Sequence, residues 1–357
     1  MKTLFILGAG ASSACGAPVM STFLDRARDL LRLKTAGIEE KRAEFEDVFN
    51  AIFELQGVHS KSYLDLNNIE VVFGAIEMAL VLGRLGPRNL QSIEKLRNSL
   101  ITLIYRTLER SIKFPVAKGV IGLPEPYKTF MERLKTAVRN QPSQDPHEFS
   151  FITFNYDVCL DVALDAYGIQ YDYFLEGRTK PGVTPLLKLH GSINWGIDRK
   201  EATPTIAPAP ISQIRFNALG LSDHVYFNVG SLLNGLGVNN RVLDGPPVIV
   251  PPSWNKSSYH GQLSNVWAKA SQELATAENI VVIGYSLPET DSFFRYLFAL
   301  GTESPTTIRN FLVVNPDATV FERFKGLIGR GIESRFQGIE GNFSQALNQI
   351  SDILARL

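Results

Sequence analysis

A parallel α/β fold is predicted by three features of this sequence. The run Thr3–Leu7 passes straight into Gly8-Ala9-Gly10 and then into apolar residues at helical spacing, Met20, Phe23, Leu24, Ala27, Leu30 and Leu31, so the chain opens as strand, glycine loop, helix. Four further apolar runs follow residue 146 and are separated by helical patterns. Those runs are apolar at nearly every position and do not alternate, as strands covered on both faces require. Together they predict a Rossmann-like parallel sheet with helices on both faces, over residues 1–34 and 147–357, and a helical insertion after the first strand–helix unit.

The insertion spans 35–146, where no second strand of the opening kind is read and helical stretches recur. Asn68, Ser92 and Pro126 stand near the starts of three of them as cap or first-turn residues. The charged stretch EEKRAEFEDVF reads as a solvated helix face, with Phe45, Val48, Phe49 and Ile52 pointing inward. After it come the strands Phe149–Asn155, Leu186–Gly191, Asn279–Ser286 and Asn310–Pro316. Between the second and third lies a Pro/Gly-rich irregular stretch, 196–255, which reads as a functional loop or a small subdomain because idle connections are rarely so long.

Composition narrows the function classes. Thirty-six basic residues balance thirty-six acidic ones, so no overall electrostatic footprint for nucleic acid or an anionic membrane is present. No stretch is apolar for the roughly 18 residues that a membrane helix needs, and the opening run breaks too early for a secretory signal, so the cytoplasm is the expected compartment. Cys15 and Cys159 are the only cysteines, which excludes a disulfide framework and a cysteine zinc module. Nor do His59, His147, His224 and His260 have ligand-like spacing, so no metal is expected.

The chemistry gathers at strand ends. Gly8 and Gly10 suit a turn whose backbone N–H groups approach a pyrophosphate at a helix N-terminus, although Ser13 stands where the common dinucleotide fingerprint has its third glycine. The next strand ends in Asn155, Tyr156 and Asp157, the one after it in His190, Gly191, Ser192 and Asn194, and the last two offer Ser286, Asp291, Asn315 and Asp317. Open α/β sheets bind ligands outside the carboxyl ends of their strands. Each residue alone has a plainer role: Asn155 as a cap, His190 as a core histidine, Asn315 in an Asn-Pro turn. Four such endings in one sheet favour a site.

These motifs resemble, in order, those of the sirtuin family. GAGASSACGAP is similar to the sirtuin glycine loop, FNYD to its Asn-x-Asp strand end, LHGS to its His-Gly strand end, and GYSL and VNPD to its later ribose-binding ends. The chain departs from deacylase sirtuins in lacking the four zinc cysteines, with 196–255 in their place, and the Phe-Arg pair after the glycine loop, where Val19, Met20 and Ser21 stand. The insertion's opening, NNIEVVFGAIEMAL, resembles the Asn-Ile-Glu helix of sirtuin-like domains in bacterial antiphage defence proteins.

That branch implies an NAD+ glycohydrolase that cleaves the nicotinamide–ribose bond to deplete NAD in abortive infection. NAD is then a substrate, and no metal is required. The resemblance implies Asn155 to orient water or ribose, His190 as general base and Asp157 against the nicotinamide carboxamide. Gly8, Ala9, Gly10, Ala11 and Ser12 would hold pyrophosphate, with Gly191, Ser286 and Asn315 completing the NAD contacts. Two alternatives stay open, an NAD-dependent deacylase that lost its zinc and an NAD- or ADP-ribose-binding sensor or scaffold subunit. The core and insertion fill the 357 residues, so regulation is expected from a homo-oligomer and from a defence partner such as a helicase-like ATPase, without direct nucleic-acid or membrane contact.

Overall fold

The computed structural model describes residues 1–57, 61–139, 148–178, 181–198, 204–213, 215–218, 223–228, 237–238, 241–244, 246–250 and 257–355. The chain forms two compact units, one of Met1–Cys15, Gly122–Gly191 and His260–Leu357, the other of Gly16–Ile121 and Ser192–Tyr259.

The first unit is built on seven strands: β1 (Lys2–Leu7), β2 (Glu148–Thr153), β3 (Tyr171–Asp172), β4 (Thr184–Lys188), β5 (Asn279–Ile283), β6 (Asn310–Asn315) and β7 (Phe336–Glu340). They lie in the order β7-β6-β5-β1-β2-β4-β3, and every neighbouring pair is parallel. The five strands expected as apolar runs are all present. The edge strands β3 and β7 were not among them; β3 has two residues and β7 is only partly buried, so neither leaves an apolar run to read.

Helices α1 (Ala9–Ser12), α2 (Tyr127–Arg139), α3 (Cys159–Ala166), α4 (Ser257–Thr276), α5 (Ser292–Gly301), α6 (Thr319–Lys325), α7 (Arg330–Glu333) and α8 (Phe343–Ala355) complete this unit. Register shows which faces they cover. Phe5 lies in line with Phe151, Val281 and Leu312, and its ring meets Phe130 of α2, which in turn meets Phe343 of α8. Phe311, one residue out of that line, points to the opposite face and meets Phe298 of α5 and Phe324 of α6. The sheet therefore has helices on both faces. Helix α2 corrects an expectation: its position in the sequence assigns it to the insertion, but its buried stripe Tyr127, Phe130, Met131 and Leu134 closes on the sheet. Spacing reveals an apolar face without revealing what covers it.

The second unit holds helices Phe23–Arg32, Arg42–Gln56, Ile69–Leu82 and Leu90–Glu109, the last packed against the other three. Asn68 caps its helix through the Glu70 N–H, and Asn89, not Ser92, caps the next, accepting from the Ser92 N–H. Phe45, Val48 and Ile52 are buried as expected, whereas Phe49 is half-buried beneath the Arg28 guanidinium. Two expectations change here. The segment read as purely helical contains a hairpin, Phe114–Ala117 with Val120–Ile121, which extends an antiparallel sheet of Arg215–Ala218 and His224–Asn228. The stretch read as irregular carries a second antiparallel sheet of Trp195–Asp198, Thr205–Pro208, Gly237–Val238 and Arg241–Asp244. Its strands are too short, and too interrupted by Pro and Gly, for a period-two pattern to emerge. Among the described residues no helix is long and apolar enough to cross a membrane.

Candidate functional site at the strand ends

The chain leaves β1 for β2 on one side and reaches β5, on the other side of β1, only after β3 and β4. The strand order therefore reverses between β1 and β5, the place where open sheets present a ligand crevice. Two loops meet there. The Gly8 N–H donates to the Ile283 carbonyl and the Gly10 N–H to the Gly284 carbonyl, each at 3.0 Å. A Cβ on Gly8 would stand 2.5 Å from the Tyr285 Cα, and one on Gly10 2.8 Å from the Gly284 Cα. At Gly8 and Gly10 the bareness of this loop also leaves room for the neighbouring loop's backbone.

Ala9 is half-buried; Ala11 and Ser12, further along α1, are buried. The Ser12 hydroxyl accepts from Asn155 Nδ2 at 3.2 Å and lies 3.1 Å from the Tyr127 hydroxyl. Ser12 thus turns toward two residues of its own unit. Asn155 follows β2, where its N–H is held by the Thr153 hydroxyl. Burial pushes the Tyr127 phenol well above its ordinary value of 10, and the charge of Asp157 adds to this. Tyr127 therefore stays a neutral hydroxyl in this network.

His190 follows β4, the next strand along, and is 3% exposed. Its Nε2 lies 3.6 Å from Asp291 Oδ1, and Asp291 Oδ2 accepts from the Tyr285 hydroxyl at 2.7 Å. Phe154 joins this group to the residue beside it in sequence, Asn155: its ring stacks on Tyr285 at 4.0 Å and meets the His190 ring edge-on at 5.2 Å. Gly191 comes directly after His190 and is also buried.

Of the remaining residues read from the sequence, Asp157 and Asn315 are engaged locally. Asp157 Oδ1 accepts the Cys159 N–H at the start of α3. The Ser286 carbonyl accepts from Arg323. Asn315 Oδ1 accepts the Asp317 N–H, which is the plain turn role. The structure thus brings Ser12, Asn155 and Tyr127 together, and His190 with Asp291 and Tyr285. Tyr127, Phe154 and Tyr285 were not singled out in the sequence, because no local spacing ties them to Ser12 or His190. Of the other histidines, His59 and His147 lie outside the described residues, and His224 is on a strand of the second unit. Among the described residues no three His, Cys, Asp or Glu side chains form a group able to hold a metal ion.

No protein-family model matches the sequence, and no curated protein matches it. Solved structures similar to the chain include a Sir2 homolog–NAD complex, at 12% identity and TM-score 0.42, covering 99% of this chain and 90% of that one. A Sir2 homologue mutant in complex with ADP-ribose has 11% identity and TM-score 0.40, over 99% and 92% of the two chains. A Sir2–p53 peptide–NAD+ complex has 10% identity and TM-score 0.41, over 99% and 94%. At these identities and scores the likeness is too remote to bear on the site.

Proposed function

We propose that the protein is an NAD+ glycohydrolase. The observation that carries this reading is the convergence of the Ser12–Asn155 hydrogen bond and His190 on adjacent strand ends beside the reversal of strand order, in the motifs whose sequences resemble the sirtuin loop and strand ends. In the reaction the ribose C1′–nitrogen bond breaks, its electron pair neutralises the pyridinium, and nicotinamide leaves. A water oxygen bonds to C1′ and its proton passes to a base, leaving ADP-ribose. The sugar is oxocarbenium-like on the way, so positioning the water and receiving its proton are the tasks for the protein. Asn155, with its amide oriented by Ser12, holds water or ribose hydroxyls, and His190 accepts the proton. Gly8 to Ser12, Asp157, Gly191, Ser286 and Asn315 hold the rest of NAD, and no metal takes part.

In this reading the enzyme is the NAD-depleting effector of a bacterial antiphage system and works in the cytoplasm. It assembles as a homo-oligomer through the helical segment, where Phe53, Val81 and Leu82 stand exposed, and answers to a partner such as a helicase-like ATPase. The test is incubation of pure protein with NAD, with and without an acylated peptide, following nicotinamide and ADP-ribose while light scattering gives the mass. Peptide-independent release of both products is expected. Release only with peptide would make it a deacylase, and tight NAD binding without release a sensor.

A further inference from the structure

We infer that the buried pair Lys188–Asp161 is a positioning device for the candidate site, fixing Asn155 relative to His190 through the main-chain carbonyl of Asp157. The inference rests on the reading of Asn155 and His190 as the residues that place water and receive its proton. Lys188 ends β4, two residues before His190, and Asp161 lies on α3; both are fully buried. Lys188 Nζ donates to Asp161 Oδ2 at 3.1 Å and to the Asp157 carbonyl. Asp161 Oδ1 accepts from the Tyr173 hydroxyl, so both carboxylate oxygens are engaged. The Tyr173 ring is in turn set edge-on to Tyr171, with 5.5 Å between centroids.

The position of that carbonyl gives the pair its role. Strands β2 and β4 are paired as far as Thr153 and Lys188, and the Leu189 N–H donates to the Thr153 carbonyl at 3.0 Å. Past that rung the segment Asn155–Asp157 leads into α3, held by contacts to its own near neighbours: the Asn155 N–H to the Thr153 hydroxyl, and the Cys159 N–H to Asp157 Oδ1. The Lys188 ammonium adds a tie of another kind, from the strand that carries His190 to the turn that carries Asn155. A buried ion pair gains little stability over apolar side chains of similar volume. A charged donor does hold a carbonyl oxygen in place, however, through a bond roughly twice as strong as a neutral one. Asp161 keeps the ammonium at that carbonyl, and Tyr173 keeps the carboxylate from rotating.

The experiment uses the full chain and compares the wild type with two variants. The double variant Lys188→Met/Asp161→Asn removes the tie without leaving a buried charge unpaired, and Lys188→Arg keeps a cation whose donors are placed differently. Circular dichroism verifies folding, NMR follows amide hydrogen exchange, and NAD turnover is measured alongside. The side-chain amide signals of Asn155 are those lost in Asn155→Asp. In the folded double variant the Asn155 and Cys159 main-chain amides should exchange at least about tenfold faster relative to those of β1, and the Asn155 side-chain signals should shift. Its kcat should fall about tenfold or more, with KM for NAD changed less. Lys188→Arg should show the same changes at smaller amplitude. Unchanged exchange at Asn155 and Cys159 in the folded double variant overturns the inference. So does an equal acceleration in β1, which would make the pair a support of the whole unit and not of the turn. Should the double variant not fold, Lys188→Arg decides by the same comparison. Absence of NAD turnover in the wild type would instead overturn the reading of the site, while the exchange data still decide whether the pair fixes Asn155.

Discussion

Gly10 and Gly284 meet backbone to backbone, the Gly10 N–H donating to the Gly284 carbonyl at 3.0 Å with no space for a Cβ between them. Gly284 also has φ +62°, a conformation that costs an L-residue roughly 1–2 kcal/mol. Forcing a side chain into so close an approach adds about 1–3 kcal/mol. Gly10→Val and Gly284→Ala should therefore each lower stability by at least about 2 kcal/mol, read as a shift in the denaturant midpoint. A folded Gly10→Val protein of wild-type stability would show that the contact with Gly284 is not what requires a glycine here.

His190→Ala should keep the fold and much of the NAD affinity while nicotinamide release falls by ~10²-fold or more, the usual scale for a general base. Its ring packs edge-on against Phe154, so a modest stability loss is also expected. Near-normal turnover in the folded variant would remove His190 from the mechanism.

Ser12 and Tyr127 test whether the orientation of Asn155 matters. Ser12→Ala removes the acceptor for Asn155 Nδ2 and should cost about 1 kcal/mol of stability, with kcat falling more than KM rises. Tyr127→Phe deletes a hydroxyl that touches Ser12 but not Asn155 in this network, so its effect on kcat should be the smaller of the two. Equal losses in steady-state kinetics would mean that the three residues act as one unit.

These residues also mark what could be read in advance. Strands β1, β2, β4, β5 and β6 were legible because both faces are covered and the runs are apolar throughout. Asn155 and His190 were legible because polar residues directly after such runs fall at the carboxyl edge of the sheet. Tyr127 was not, since 115 residues separate it from Ser12 and only the docking of α2 on the sheet brings them together. Direction was equally hidden: Gly10 is visible as a glycine, but that its bare side faces Gly284 follows from the pairing of β1 with β5.

Glu273 predicts a pH dependence of stability. Burial raises its pKa, but Lys2 at 2.7 Å and Lys269 at 2.8 Å outweigh burial and hold it below the ordinary 4.5. A carboxyl whose folded pKa is depressed binds fewer protons folded than unfolded, so it stabilises the protein above 4.5, and that contribution is lost as pH falls through the lower folded value. Glu273→Gln should lower stability near neutral pH by about 1–3 kcal/mol and flatten the decline below 4.5. Urea unfolding at a series of pH values measures both, and parallel wild-type and variant curves would show that the two lysines contribute nothing through charge.

Arg106 and Arg110 should respond oppositely to the same substitution. Both are at least nine-tenths buried, at the end of the helix Leu90–Glu109. Burial opposes the charge of each, but Glu109, 3.0 Å from Arg106 Nη1, more than compensates for Arg106 and raises its pKa. For Arg110 burial wins and the pKa falls, with Arg106 itself repelling the charge. Its Nε and Nη1 are buried with no hydrogen-bond partner among the described residues, whereas its carbonyl, which accepts from Arg26, survives any side-chain change. Arg106→Met removes the cation 3.0 Å from the fully buried Glu109 and should cost about 3–5 kcal/mol. Arg110→Met replaces a poorly compensated guanidinium with an apolar chain of similar length, and should leave stability unchanged or raise it by about 1 kcal/mol or more. Thermal and denaturant midpoints of the two variants decide the matter. Equal destabilisation by both would mean that Arg110 shares the Glu109 carboxylate and that the two guanidinium groups form a single buried triad with it.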